Sequence, residues 1–181
     1  MLRFIRLYYY SIEFYIKQIP SGLLTLLLVG IILQEIVRKK SKNFRGKQVL
    51  QWGLVIVYIL ILLYITVIMR ETGSIYKYNL NPISFGIYVI KNKDNALLYE
   101  NINNIIAFIP LGMLVAGVSK RAKINCIWTM LLSGMIETLQ LYFGCGVFEV
   151  SDIIENTLGA FIGNYIYMCV ARWIRNREGR E

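Results

Sequence analysis

Long apolar runs closed by lysines and arginines dominate this chain, and about twenty such residues are what an α-helix needs to cross a bilayer. The runs extend from about Ile19 to Val37, Val49 to Met69, Ile102 to Val118, Ile124 to Phe143 and Asp152 to Ile174. Over the 181 residues, 56% are hydrophobic, 17% charged and only three are proline, which excludes disorder, collagen and an ordinary water-soluble domain. The expected fold is all-α: a polytopic integral membrane helical bundle of about five transmembrane helices, with the membrane domain over residues 19–181. Residues 1–18 differ. They carry Phe4, Tyr8, Tyr9, Tyr10, Phe14 and Tyr15 among Arg3, Arg6 and Lys17. Rings with a polar tip favour the membrane interface, so this segment is read as an amphipathic helix lying on the surface.

Basic residues near span ends tend to stay cytoplasmic. Six lie in the 38–48 segment, three at Lys120, Arg121 and Lys123, and four at Arg172, Arg175, Arg177 and Arg180. Placing all of these inside leaves three before the first span and four in the 70–101 loop outside. The expected topology is multi-pass in a bacterial cell membrane, with the N-terminus outside and the C-terminus in the cytoplasm. The net charge of +9 belongs to these flanks rather than to a separate basic domain, so no nucleic-acid partner is expected.

The chemistry available is restricted. The chain has no histidine, which removes Ser-His-Asp catalysis and HExxH zinc sites. Cys126, Cys145 and Cys169 are scattered, forming neither a CxxC pair nor a disulfide framework. No metal and no cofactor is expected.

Polar side chains inside hydrocarbon are expensive, so those present should face other helices or a wet cavity. At 100° per residue, Ser133, Glu137 and Gln140 fall on one arc of the fourth run, and Asp152, Asn156, Gly159 and Gly163 on one arc of the fifth. Asn101, Asn104, Phe108 and Gly112 share a face of the third. With the stated topology, Asn104, Glu137, Gln140, Asp152 and Asn156 all belong to the outer half of the membrane, which suggests an outward-opening ligand-binding pocket. Apart from Arg172 at the inner end of the fifth run, no Lys or Arg lies within the spans to neutralise Glu137, so it is expected to be protonated or to meet a cation or donor-rich ligand. Asp152 or Ser151 is a candidate N-cap, and Glu149 and Glu155 are read as surface groups. Gly159 and Gly163 form a GxxxG pair and Gly112 with Ala116 a weaker small-residue pair, both suited to close helix packing. Pro110 lacks an N–H and should kink or loosen its helix.

Four fragments in order, NLNP (Asn79 to Pro82), NIIAFIPLGML (Asn104 to Leu114), IETLQ (Ile136 to Gln140) and FEVSDIIENTLGAFIG (Phe148 to Gly163), give the chain a specific resemblance. Over about residues 77–172 it resembles the VanZ-like family of bacterial membrane proteins, associated with low-level resistance to the glycopeptide teicoplanin. The resemblance carries the family's Asn, Phe, Pro and Gly of the third span onto Asn104, Phe108, Pro110 and Gly112. Its Glu and Gln fall on Glu137 and Gln140, and its Asp, Asn and Gly on Asp152, Asn156 and Gly159. Many members have an Arg and two further acidic positions before the final Asp, where this chain has Gly146, Glu149 and Ser151.

The function implied is that of a noncatalytic envelope protein whose pocket binds or shields a membrane lipid, a cell-wall precursor or the lipoglycopeptide antibiotic itself. The alternative is an intramembrane enzyme modifying a lipid-linked wall substrate, with Glu137 and Asp152 as an acid and base of separated pKa. No nucleophile beside a base, metal motif or cofactor fingerprint accompanies them, which favours the noncatalytic reading. Transport trails, because only one span is visibly interrupted. The sequence does not specify an oligomeric state.

Overall fold

The computed structural model describes residues 44–70, 72–73, 77–82 and 95–178. The surface helix expected over 1–18, the span at 19–37 and the basic residues 38–42 lie outside the described residues. Those described form four helices, α1 (Phe44–Leu63), α2 (Asn95–Val118), α3 (Ala122–Tyr142) and α4 (Val150–Glu178). α2 and α4 both extend beyond the apolar runs at Ile102 to Val118 and Asp152 to Ile174. Hydropathy marks the part of a helix that tolerates lipid, whereas backbone hydrogen bonding continues into polar turns.

Among the described residues, two stretches, Gln48–Ile68 and Asn101–Val118, are long and apolar enough to cross a membrane. α3 is less apolar because of what it buries. Its buried residues are Asn125, Thr129, Ser133, Ile136, Glu137 and Gln140, while Ile127, Trp128, Met130, Leu131 and Met135 are exposed. A helix of a water-soluble protein has the opposite arrangement, apolar inward and polar outward.

Small residues set how the helices pack. A Cβ on Gly159 would collide with the Ile105 carbonyl, one on Gly163 with the Ile109 carbonyl, and one on Gly112 with the Ala160 backbone. The pairing of 105 with 159 and 109 with 163 rises along both helices, so α2 and α4 run parallel with their backbones in contact. α3 runs antiparallel to α4, since Ser133 meets Asn156 and Glu137 meets Glu149. α1 runs antiparallel to α2. The Tyr58 hydroxyl on α1 donates to the Ala107 carbonyl on α2 at 2.7 Å, a bond contributing about 1 kcal/mol. That carbonyl lies one turn before Pro110, which sits inside a continuous α2 and cannot donate to the Ile106 carbonyl. Val55, Tyr58, Leu62, Phe108, Leu111, Leu114, Ile136 and Ala160 form the apolar core among these helices.

α1 ends in a widened turn, the π-helix Tyr64–Ile68, where the Met69 N–H reaches back to the Tyr64 carbonyl at 2.9 Å. α3 ends in a Schellman motif. Gly144 adopts φ 62°, its N–H donates to the Leu141 carbonyl, and the Cys145 N–H donates to the Gln140 carbonyl. The two loops at this end are tied by a short parallel pairing of β1 (Tyr78–Asn79) with β2 (Phe148–Glu149). Gly73 also donates to the Gly144 carbonyl at 3.0 Å and Phe148 to the Lys77 carbonyl at 3.0 Å.

Candidate functional site

The end of the bundle where α1 and α3 stop and α2 and α4 start gathers the polar residues singled out above. Glu137 is 2% exposed, and its Oε2 accepts the Glu149 backbone N–H at 3.2 Å. Glu149 directly precedes α4, so the carboxylate stands at the positive end of that helix. A backbone donor and a helix dipole thus do part of what a Lys or Arg would do for Glu137. One turn further along α3, the Gln140 Nε2 donates to the Thr66 carbonyl at 3.0 Å, within the widened turn of α1. The Asn156 Nδ2 donates to the Ser133 Oγ at 2.8 Å, joining α4 to α3.

Asn104 is held elsewhere. Its Nδ2 donates to the Glu155 Oε2 at 3.3 Å, joining α2 to α4. Glu155 and Asn156 are consecutive and project 100° apart, so Asn104 sits on a different flank of α4 from the group formed with α3. Asp152 is half-buried in the first turn of α4. It is not the N-cap, because the helix begins at Val150, two residues earlier. Ser151 is buried, and its hydroxyl donates to the Glu149 Oε2 at 3.2 Å. Glu137 and Asn156 thus share the α3–α4 seam, Gln140 reaches from α3 to the end of α1, Asp152 stands in the first turn of α4, and Asn104 lies across α4.

Glu149 and Glu155 are half-buried and hydrogen-bonded, not the surface groups that helical projection implied. Projection assigns a residue to an arc, but not which neighbouring helix that arc meets. A guanidinium is present as well, supplied by another part of the chain. Arg70, just beyond α1, places its Nη1 3.1 Å from where a Cβ on Gly146 would stand, and the Gln140 Oε1 is 3.4 Å from the same point. Cys145 is 5% exposed and its Sγ donates to the Gln140 carbonyl at 3.6 Å, so this thiol is shielded although its loop is at the surface.

The seam continues away from this end. Asn125 and Thr129 are both 2% exposed, and the Asn125 Nδ2 donates to the Ser119 carbonyl at 2.8 Å. Residues 125, 129, 133 and 137 recur every four positions, a spacing that extends the Ser133–Glu137 arc along the whole of α3. Asn164 on α4 is also 2% exposed. Several buried carboxamide atoms have no hydrogen-bond partner: the Asn101 Oδ1, the Gln140 Oε1, the Asn156 Oδ1 and both polar atoms of Asn164. Each such group is costly when dry, by about 1–3 kcal/mol.

These features define a helical bundle that joins its helices through buried polar side chains and turns large apolar ones outward. Residues 55–172 match the VanZ/LLP1 family, and the chain belongs to that family. A curated relative is Protein VanZ of Enterococcus faecium, 26% identical over 122 residues, which cover 66% of this chain and 74% of that protein. No solved structure matches.

Proposed function

We propose that this chain is a multi-pass bacterial membrane protein that lowers the action of teicoplanin-type lipoglycopeptides, by binding or shielding an envelope component at the polar end of its α3–α4 seam. The observation that carries this reading is the buried Glu137, placed where α3, the 143–149 loop and the start of α4 meet, at the same end of the bundle as the unpartnered oxygens of Gln140 and Asn156. Such oxygens suit a ligand carrying hydroxyl or amide donors, as wall precursors and glycopeptides do. Membership of the VanZ/LLP1 family supports the role.

The surface supports the membrane setting. Trp52 and Tyr64 on α1 are exposed and stand about 18 Å apart along the helix axis. Trp128 and Tyr142 on α3 are exposed and stand about 21 Å apart. Aromatic rings favour the two interfaces, and Ile56, Val57, Leu60, Met130, Leu131 and Met135 between them are exposed, as lipid-facing residues would be. The carboxylate-rich end faces outward in this reading, and the basic end faces the cytoplasm.

Expression in a susceptible bacterium should raise the inhibitory concentration of teicoplanin several-fold more than that of vancomycin, which has no lipid tail. Equal tolerance to both drugs would rule out involvement of the tail, and tolerance to neither would rule out the role. Orientation is tested with single thiols. In a background lacking native cysteines, Tyr78→Cys should react with an impermeant reagent applied to intact cells, while Lys120→Cys should react only after lysis. The reverse pattern would invert the topology.

A further inference from the structure

Charge in this molecule is unevenly distributed between its two ends. The described carboxylates of Glu137, Glu149, Asp152 and Glu155 all lie at the end where α3 stops and α4 starts. At the opposite end six cationic side chains are exposed: Lys120, Arg121, Lys123, Arg172, Arg175 and Arg177. No described acidic side chain lies among them. In sequence only Glu178 and Glu181 follow, with Arg180 between.

Helix register brings the two basic segments to the same end of the bundle. Asn156 meets Ser133, so on antiparallel helices Ala122 is level with Tyr167, and α4 continues about 16 Å past the start of α3. The Ile153 Cδ1 lies 3.8 Å from where a Cβ on Gly134 would be, which identifies the flank of α4 that faces α3. Positions 164 and 175 follow Ile153 at intervals of eleven residues, and eleven residues of α-helix return to within about 20° of the same direction. Arg175 therefore projects on the α3 side, beyond the first turn of α3, where Lys120, Arg121 and Lys123 are. That first turn holds no acidic residue, and Arg121 at the N-cap makes no side-chain cap. Lys120, Arg121 and Lys123 are thus gathered at the positive end of the α3 dipole, while the same segment follows the negative end of α2 and Arg175 lies in the last turn of α4, where a cation is favoured. The start of α3, with its three cations, lies about 9 Å outside the exposed Trp128, a headgroup distance from an interfacial ring. Trp173, also exposed, carries the Arg177 guanidinium 4.1 Å from its ring centre.

We propose that the basic end, formed by Lys120, Arg121, Lys123 and Arg175, is a docking site for the phosphate headgroups of anionic phospholipid in the cytoplasmic leaflet. Charge complementarity selects this occupant, because lipid phosphates occupy the depth of the three cations at the start of α3, and Arg175 extends the positive surface about 12 Å further out. The inference rests on the membrane reading above and concerns the opposite end of the molecule from the pocket.

The test uses the full chain in nanodiscs of phosphatidylcholine doped with phosphatidylglycerol, with lipid retention read by native mass spectrometry. Phosphatidylglycerol should be retained over phosphatidylcholine, and the preference should fall as salt is raised. Each Lys or Arg changed to Gln should lower it about fivefold, and K120Q/R121Q/K123Q together on the order of a hundredfold. Lys77→Gln, a charge loss at the other end, should leave it unchanged. Equal retention of both lipids, or a triple variant that keeps the preference, overturns the proposal. Displacement of the lipid by millimolar inorganic phosphate would assign the site to a soluble anion and likewise overturn the lipid occupant. Failure of the chain to enter the bilayer would end this proposal together with the membrane reading, whereas insertion without lipid preference would end this proposal alone.

Discussion

Replacing Gly163 with valine will abolish stable folding. The Cβ alone would collide with the Ile109 carbonyl and lie 3.0 Å from the Met113 N, both on the backbone of α2. Backbone atoms cannot swing aside as a side-chain end can, so the helices must separate. Their separation also opens the contacts at Gly159 and Gly112, which depend on the same close approach. The expected cost is at least about 3 kcal/mol, a large part of the stability of a domain this size. Gly53 is the control. A Cβ there meets nothing within 4 Å, so Gly53→Ala should be tolerated and gain up to about 1 kcal/mol of helix propensity. Thermal unfolding in detergent and the amount of protein in the membrane fraction measure both. A Gly163→Val protein that melts like the wild type would mean that α2 and α4 are not in backbone contact.

The second large effect is on function rather than folding. Glu137→Gln keeps the shape of the side chain and an oxygen able to accept the Glu149 N–H, but removes the negative charge from the start of α4. It should cost no more than about 1–2 kcal/mol in stability and remove most drug tolerance. Glu137→Leu should be harsher, because it leaves the Glu149 N–H without its carboxylate, at about 1–3 kcal/mol. Tolerance is measured beside the level of membrane-embedded protein, so that loss of function is separated from loss of protein. Full tolerance conferred by a normal level of Glu137→Gln protein would show that the site does not depend on charge.

Much of the candidate site could be read from spacing. Glu137 and Gln140 share an arc of one helix and Asn156 belongs to another; the structure puts Glu137 and Asn156 on the α3–α4 seam and turns the Gln140 amide to the Thr66 carbonyl at the end of α1. The same four-residue spacing runs back through Asn125 and Thr129, so the full length of the polar seam was also present in the sequence. Glu155 was less legible. Its projection departs from the Asn156 arc, and only the position of α2 reveals that this second direction meets Asn104. Arg70 was less legible still, because it is 76 positions from Gly146 and is brought to it by the paired loops.

Periodicity and hydropathy reach as far as one helix at a time. They locate the apolar runs, the polar arcs, the small residues at fixed intervals and the unequal distribution of lysine and arginine, because each is a property of neighbours along the chain. Which arc faces which helix is a long-range matter, settled by packing at sites such as Gly159 against Ile105 and Tyr58 against Ala107. The start of α4 shows the difference most clearly. Glu137 was recognisable as a costly charge from its place in an apolar run, but its donor, the N–H of Glu149, is a backbone group carried by every non-proline residue, and only the fold brings that one to the carboxylate.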